Sequence, residues 1–369
     1  MNKYDYKQNA YYMLYLIRCV LHDKIPEKQK LDKINLSQLY EVAQTHSLTA
    51  ITAYAIDSSN IIDERFKEAK SKAIRKSIYF EIERAAVLAE LEKNEIWYMP
   101  LKGIILKDYY PKSSMREMCD NDILFDNSRI EDVKQIMSSQ RFEMKYDDNG
   151  HDLAFYKEPV CNFEMHTELF GDGHDQRMND YYSAVRSRLI KDSDNSFGYH
   201  FSNEDFYVFM IAHEYKHFYN AGTGLRSLLD TYVFIKEFNT SLDWKYINVE
   251  LSKLGINDYE QKNRNLAFKL FHGVKLNSEE KEFLDYFIFS ETYGNSQNRV
   301  RIQLKAKSNN RFRYIFDRIA IPMDSIKRSF PTFYKYPILL PVLPVYRVYR
   351  SYKSHKSGVI SELRVLFRL

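Results

Sequence analysis

Apolar residues recur at helical spacing through the first quarter of the chain, and residues 5–94 read as helices. Between Ile62 and Leu91, Phe66, Ala69, Ala73, Ile78, Ile82, Ala86, Leu88 and Leu91 keep that spacing. Glu and Lys fill the gaps and no Gly or Pro intervenes, which predicts one long helix. The texture changes at Glu95. Short β-type runs follow, separated by turns: IWYM (96–99), NDILF (121–125), FEMKY (142–146), DLAFYK (152–157) and VCNFEMHTEL (160–169). A helical segment near Gly103 to Tyr109 lies between the first two, and another, opened by Ser128 as N-cap, between the second and third. Helices return after Asn203, over 204–219, then over 225–238 past an A-G-T-G turn, and onward to about 320. From Pro322 to Pro344 five prolines forbid a continuous helix. The pattern predicts an α+β chain with a helical region over 1–94, a mixed α/β module over 95–202, a helical domain over 203–320 and a distinct tail over 321–369.

At 369 residues the chain exceeds the usual size of one core, so two or three packed units are expected. Tyr (30), Phe (24) and Trp (2) are abundant and Gly (11) is scarce, a balance that favours packed helices over disorder. The glycines never fall as G-x-G-x-x-G or G-x-x-x-x-G-K-[ST], so neither phosphate-cradling loop is available. Cys19, Cys119 and Cys161 are odd in number and far apart, which excludes a disulfide framework and a thiolate zinc cluster and points to a reducing cytoplasm. No stretch of about 18 apolar residues occurs, so no transmembrane segment is expected.

The net charge of +4 conceals an uneven distribution. Residues 301–369 hold 15 Lys and Arg against three acids, net +12, and residues 1–300 carry net −8. The tail also interleaves Phe333, Tyr334, Tyr336, Tyr346, Tyr349 and Tyr352 with its cations, and Leu339 to Leu343 is apolar between Lys335 and Arg347. Three partners suit such a segment: the acidic remainder of the chain, the anionic inner face of a membrane met peripherally through 321–369, or nucleic acid.

The densest chemistry lies in MPLKGIILKDYYPKSSMREMCDNDILF, residues 99–125. Asp120 and Asp122 stand at i and i+2 where a strand begins, so period 2 puts both carboxylates on one face. Such a pair repels itself unless a divalent cation sits between, and paired carboxylates are what Mg²⁺ or Mn²⁺ takes alongside phosphates. In VCNFEMHTEL the same alternation puts Asn162, Glu164, His166 and Glu168 on one face and Cys161, Phe163, Met165 and Leu169 on the other. Glu164 would be a third carboxylate, and a solvated polar face fits the same alternation.

These residues carry a resemblance. A strand, L-K-G (101–103) opening a helix, Y-P (110–111), and Arg116 four residues before D-x-D-I-L (120–124) together resemble the uncharacterised nucleotidyltransferase family of the DNA polymerase beta-like superfamily. A later strand ending E-x-H (164–166), H-x-x-x-H (213–217) followed by L-R-x-L-L-D (225–230), and a terminal F-P, Y-P, L-L-P, Y-R segment extend the likeness over roughly 95–350. The resemblance implies a polymerase-beta-like core flanked by helical regions, binding an NTP such as ATP. It implies transfer of a nucleoside monophosphate to an acceptor hydroxyl on a small molecule, sugar, protein or RNA. Asp120, Asp122 and Glu164 would be the catalytic and metal-holding carboxylates for Mg²⁺ or Mn²⁺, with Glu164 doubling as base. Lys102, Gly103, Arg116 and His166 would meet the nucleotide. His213, Lys216, His217, Arg226 and Asp230 would line the cleft wall. Lys102-Gly103 stands where the superfamily usually has Gly-Ser or Gly-Gly, and Glu164 where Asp is commoner.

A rival reading rests on HEYKH (213–217). His213 and His217 share a helix face, Glu214 could be the base of a zinc hydrolase, and Glu237 lies 20 residues past His217, where a third ligand could come from. A degenerate nucleotidyltransferase that binds without turnover is the non-enzyme alternative.

Overall fold

The computed structural model describes residues 1–147, 152–171, 175–194, 196–220, 222–290, 323, 326 and 330–354. The chain forms two compact units, one of residues 1–215 and 224–292 and the other of 216–223 and 293–369. Helices expected between 291 and 320 lie outside the described residues.

The first unit is α+β, a small mixed sheet among many helices. It begins with α1 (Lys3–Leu21), α2 (Lys28–Leu31), α3 (Leu36–Thr45) and α4 (Thr49–Ser58), followed by the long α5 (Glu64–Lys93). The predicted run from 62 to 91 is indeed one helix of 30 residues, opened by Asp63, whose carboxylate accepts from the Arg65 and Phe66 amides. Its buried Phe80, Val87 and Leu91 keep one face on the core.

The sheet contains β1 (Tyr98–Pro100), β2 (Asn121–Phe125), β3 (Glu143–Asp147), β4 (Asp152–Lys157) and β5 (Cys161–His166). Their spatial order is β1-β2-β5-β4-β3. β2 and β5 run parallel and the other neighbours antiparallel. α6 (Gly103–Leu106) follows β1, and α7 (Ile130–Ser139) follows β2. Ile123, Phe125, Phe163 and Met165 join Phe80 and Leu91 of α5 and Val133 and Met137 of α7 in one buried cluster. Each such side chain contributes about 1.5–3 kcal/mol by leaving water. With one sheet face committed to this core, the alternate residues of β2 and β5 must point the other way. β5 is shorter than the sequence pattern suggested and stops at His166, which leaves Glu168 off the polar row.

After α8 (Gln176–Tyr182), β6 (Ile190–Lys191) and β7 (Tyr199–His200), the helices α9 (Asn203–Asn220), α10 (Leu225–Phe238), α11 (Trp244–Leu254), α12 (Asn257–His272) and α13 (Ser278–Ser290) follow. α10 packs on α12 and touches α6, which brings this helical layer to the sheet module. Among the described residues no helix is long and apolar enough to cross a membrane. In the second unit the proline-rich stretch breaks into a short helix (Pro331–Lys335), a 3-10 segment (Pro337–Val342) and a helix (Leu343–Ser354). Pro344 is tolerated because it lies in that helix's first turn.

Glu214 on α9 is buried between α10 and α12. It accepts from Tyr259 Oη at 2.9 Å and Asn263 Nδ2 at 2.6 Å. Burial pushes its carboxyl up to about 7, against hydrogen bonds from Tyr259, Ser227 and Asn263 that favour the charged form. A folded pKa above the unfolded value of 4.5 gives stability that is full below that value and lost as pH rises through about 7. Glu214→Gln removes this ionisation. Denaturant melts at pH 4.5 and 8 should show the variant gaining about 2–3 kcal/mol on the wild type between the two pH values. A difference that stays constant with pH would show that Glu214 does not titrate on folding.

Candidate active site

The open sheet face is built from strand ends. The Leu101 amide donates to the Asp122 carbonyl at 3.0 Å and ties the chain beyond β1 to β2. Lys102 then adopts φ 40° and ψ −103°, a conformation that costs a residue with a β-carbon about 1–3 kcal/mol. From there its Nζ lies 3.2 Å from Asp122 Oδ1. In the parallel pairing Asp122 stands directly opposite Glu164, and Leu124 opposite His166. β4 places Asp152 opposite His166 from the other side. His166 Nε2 lies 2.9 Å from Asp122 Oδ1 and Nδ1 lies 2.7 Å from Asp152 Oδ1, with Glu164 Oε2 3.8 Å from Nε2.

The charges here are strongly biased. Burial disfavours ionised Asp122, but Lys102 and then His166 more than offset it and hold the carboxyl well below the usual range. Asp120, just ahead of the strand, goes the other way: burial, then Asp122 and Glu164, push it up to about 6. Glu164 is likewise raised by burial and by Asp122. His166 is depressed by burial yet lifted to about 9 by its hydrogen bonds to Asp122 and Asp152, so the ring is a cation at neutral pH. Three carboxylates thus share one face, and burial, then repulsion from Asp122, makes two of them resist ionisation. One ligand atom each from Asp122, Glu164 and His166 falls within 4.8 Å of the others. The carboxylate oxygens fit a hard divalent cation. The imidazole suits softer metals, and here it is turned to carboxylates on both sides.

Arg116 and Asp230, both expected near the nucleotide or cleft, are joined to each other. Nε and Nη2 of Arg116 donate to the two Asp230 oxygens at 2.8 Å each, and Tyr110 Oη donates to Oδ1 at 2.6 Å. The pair is almost wholly buried, and Asp230 holds Arg116 above its ordinary pKa despite the desolvation that opposes its charge. The same guanidinium lies over Gly103, where an added Cβ would stand 2.6 Å from Nη1. Gly103 therefore admits Arg116, a demand additional to any approach of phosphate to the helix start. Arg226 Nη1 donates to the Glu117 carbonyl at 3.1 Å and lies close enough to Asp120 to lower its pKa.

His213 packs its ring against Phe209, and Lys216 and His217 fall in the second unit. The zinc hydrolase reading fails here. Glu214 is 6% exposed and spent on Tyr259 and Asn263 inside the helical layer, so it cannot act as base on a metal-bound water. Among the described residues no group of three or more metal-capable side chains includes His213, His217 or Glu237.

Two contributors escaped the sequence reading. Asp152 flanks His166, and pairing the DLAFYK and VCNFEMHTEL runs antiparallel would have revealed it. Arg84 on α5 donates to Asn121 Oδ1 at 3.1 Å, fixing the residue between the two aspartates from the core side, and no local signal marks it.

A family model described as "Uncharacterised nucleotidyltransferase" matches residues 32–272. The chain belongs to that family. The match takes in most of the N-terminal helices and ends before the basic tail, so the F-P, Y-P, L-L-P, Y-R texture lies beyond it. No curated protein and no solved structure shows significant similarity to this nucleotidyltransferase family member.

Asp230→Asn leaves the buried Arg116 charge underpaired and should cost about 3–5 kcal/mol in urea unfolding, whereas the apolar pair Arg116→Met with Asp230→Leu should cost much less. Gly103→Ala should also destabilise, because Asp230 holds in place the guanidinium that its methyl would displace. Wild-type stability in Asp230→Asn would remove the pair from its supporting part.

Proposed function

We propose that the protein transfers a nucleoside monophosphate from an NTP to an acceptor hydroxyl, releasing pyrophosphate. The observation that carries the reading is the parallel register of β2 and β5, which sets Asp122 against Glu164 with Asp120 beside them on the open face. Asp120, Asp122 and Glu164 would hold Mg²⁺ or Mn²⁺. Such ions, when bound, neutralise triphosphate charge and make a coordinated hydroxyl a better nucleophile. On this reading the sheet and its flanking helices are a polymerase-beta-like core working in a reducing cytoplasm.

The chain's own groups fit the roles. Glu164 has a raised pKa and a half-exposed side chain, which suits it to take the acceptor's proton. Lys102 offsets the charge of Asp122 and would be within reach of phosphate oxygens beside it. His166, held between Asp122 and Asp152, orients Asp122 and adds positive charge facing the triphosphate. Arg116 acts behind the site by fixing the segment before Asp120 and the start of α6. Arg226 and His213 belong to the wall that would face the base or the acceptor.

The test presents each radiolabelled NTP with Mg²⁺ or Mn²⁺ to the protein and a host lysate, comparing wild type with Asp122→Asn. Label should pass to an acceptor, with transfer reduced about a hundredfold or more in the variant. Transfer indifferent to the substitution would sink the mechanism, and NTP binding with no transfer by wild type would favour a binding module.

A further inference from the structure

The second unit carries an exposed apolar face that nucleotidyl transfer does not use. Val342, Val345, Tyr346 and Tyr349 recur at i, i+3, i+4 and i+7 where the 3-10 segment runs into the last described helix, so they share one side. They are 55%, 70%, 41% and 61% exposed, whereas Leu343, off that side, is buried. One turn earlier Ile338 is 86% exposed, and Tyr334 and Tyr336 are exposed nearby. The sequence from 330 to 354 contains Lys335, Arg347, Arg350 and Lys353 and no acid, within a stretch of net +12.

We infer that residues 334–349 form a peripheral docking face for an anionic lipid bilayer. Exposed Ile and Val side chains gain by entering the acyl boundary, Tyr rings suit the headgroup level, and Lys and Arg reach lipid phosphates. Nucleic acid would use the cations and could stack on the rings, but branched aliphatic side chains offer it nothing. The aliphatic component therefore selects lipid. Each basic residue near an anionic surface adds about fivefold in affinity, so neither the apolar row nor the charge suffices alone and both must be engaged. The segment lies in the interface without spanning it, because 3-10 and helical turns broken by prolines give no apolar run of the required length.

Vesicle flotation of the full chain tests this, using phosphatidylcholine alone and phosphatidylcholine with 30% phosphatidylserine. The protein should float with the anionic vesicles only, and less at 0.5 M salt. Ile338→Glu with Val345→Glu, two surface changes whose folding is checked by thermal melt, should lower partitioning at least tenfold. Ile338→Leu with Val345→Leu should keep it. Equal flotation on both vesicles, wild-type flotation of the Glu variant, or displacement from vesicles by an RNA oligonucleotide would overturn the inference. The assay contains no NTP, so its outcome is independent of Asp122→Asn.

Discussion

One register governs this molecule. β2 and β5 pair in parallel with Asn121 against Phe163 and Asp122 against Glu164. Because side chains alternate, a slip of β5 by a single residue would turn Glu164 into the cluster beneath α5 and expose Phe163 and Met165. The apolar core therefore selects the arrangement of the carboxylates: burial of one face of the sheet determines the composition of the other. The strength of that selection is what allows three acidic groups to stay close together, although two of them are held above their ordinary pKa by burial and then by their neighbours' charge.

The approach to β2 is fixed almost residue by residue. Arg116 reaches Asp230 on α10, the Glu117 carboxylate accepts from the Ala50 amide at the start of α4, its carbonyl accepts from Arg226, and the Cys119 carbonyl accepts from Asn162 on β5. Four anchors on three elements converge on the residues just before Asp120. Several are buried or half-buried, where breaking one member leaves a polar group without a partner and is costly. The helices outside the sheet thus have a definite part in the site, since they fix where the first aspartate begins.

Much of this was legible because it is local. The long helix, the succession of strands along the chain and the two rows of β5 as far as His166 follow from periodicity alone, and the bounds of α10 agree with the predicted 225–238. What the sequence could not convey is pairing at a distance. Arg116 and Asp230 were each marked as chemistry, but nothing in a linear pattern says that residues 114 positions apart will be each other's partner. Asp152 was missed because it matters only once β4 is laid beside β5. HEYKH misled because a motif fixes spacing on a helix and not which side of that helix meets the core, and Glu214 faces inward.

Lys102 has a backbone conformation in which glycine would be at ease, and the structure bears that strain with a lysine. Its ammonium group is consequently tethered at Asp122. A divalent ion held at Asp122, as the proposed function requires, would have to exchange with this lysine. The lysine so displaced would be a mobile positive charge beside the carboxylates, available to an anionic substrate.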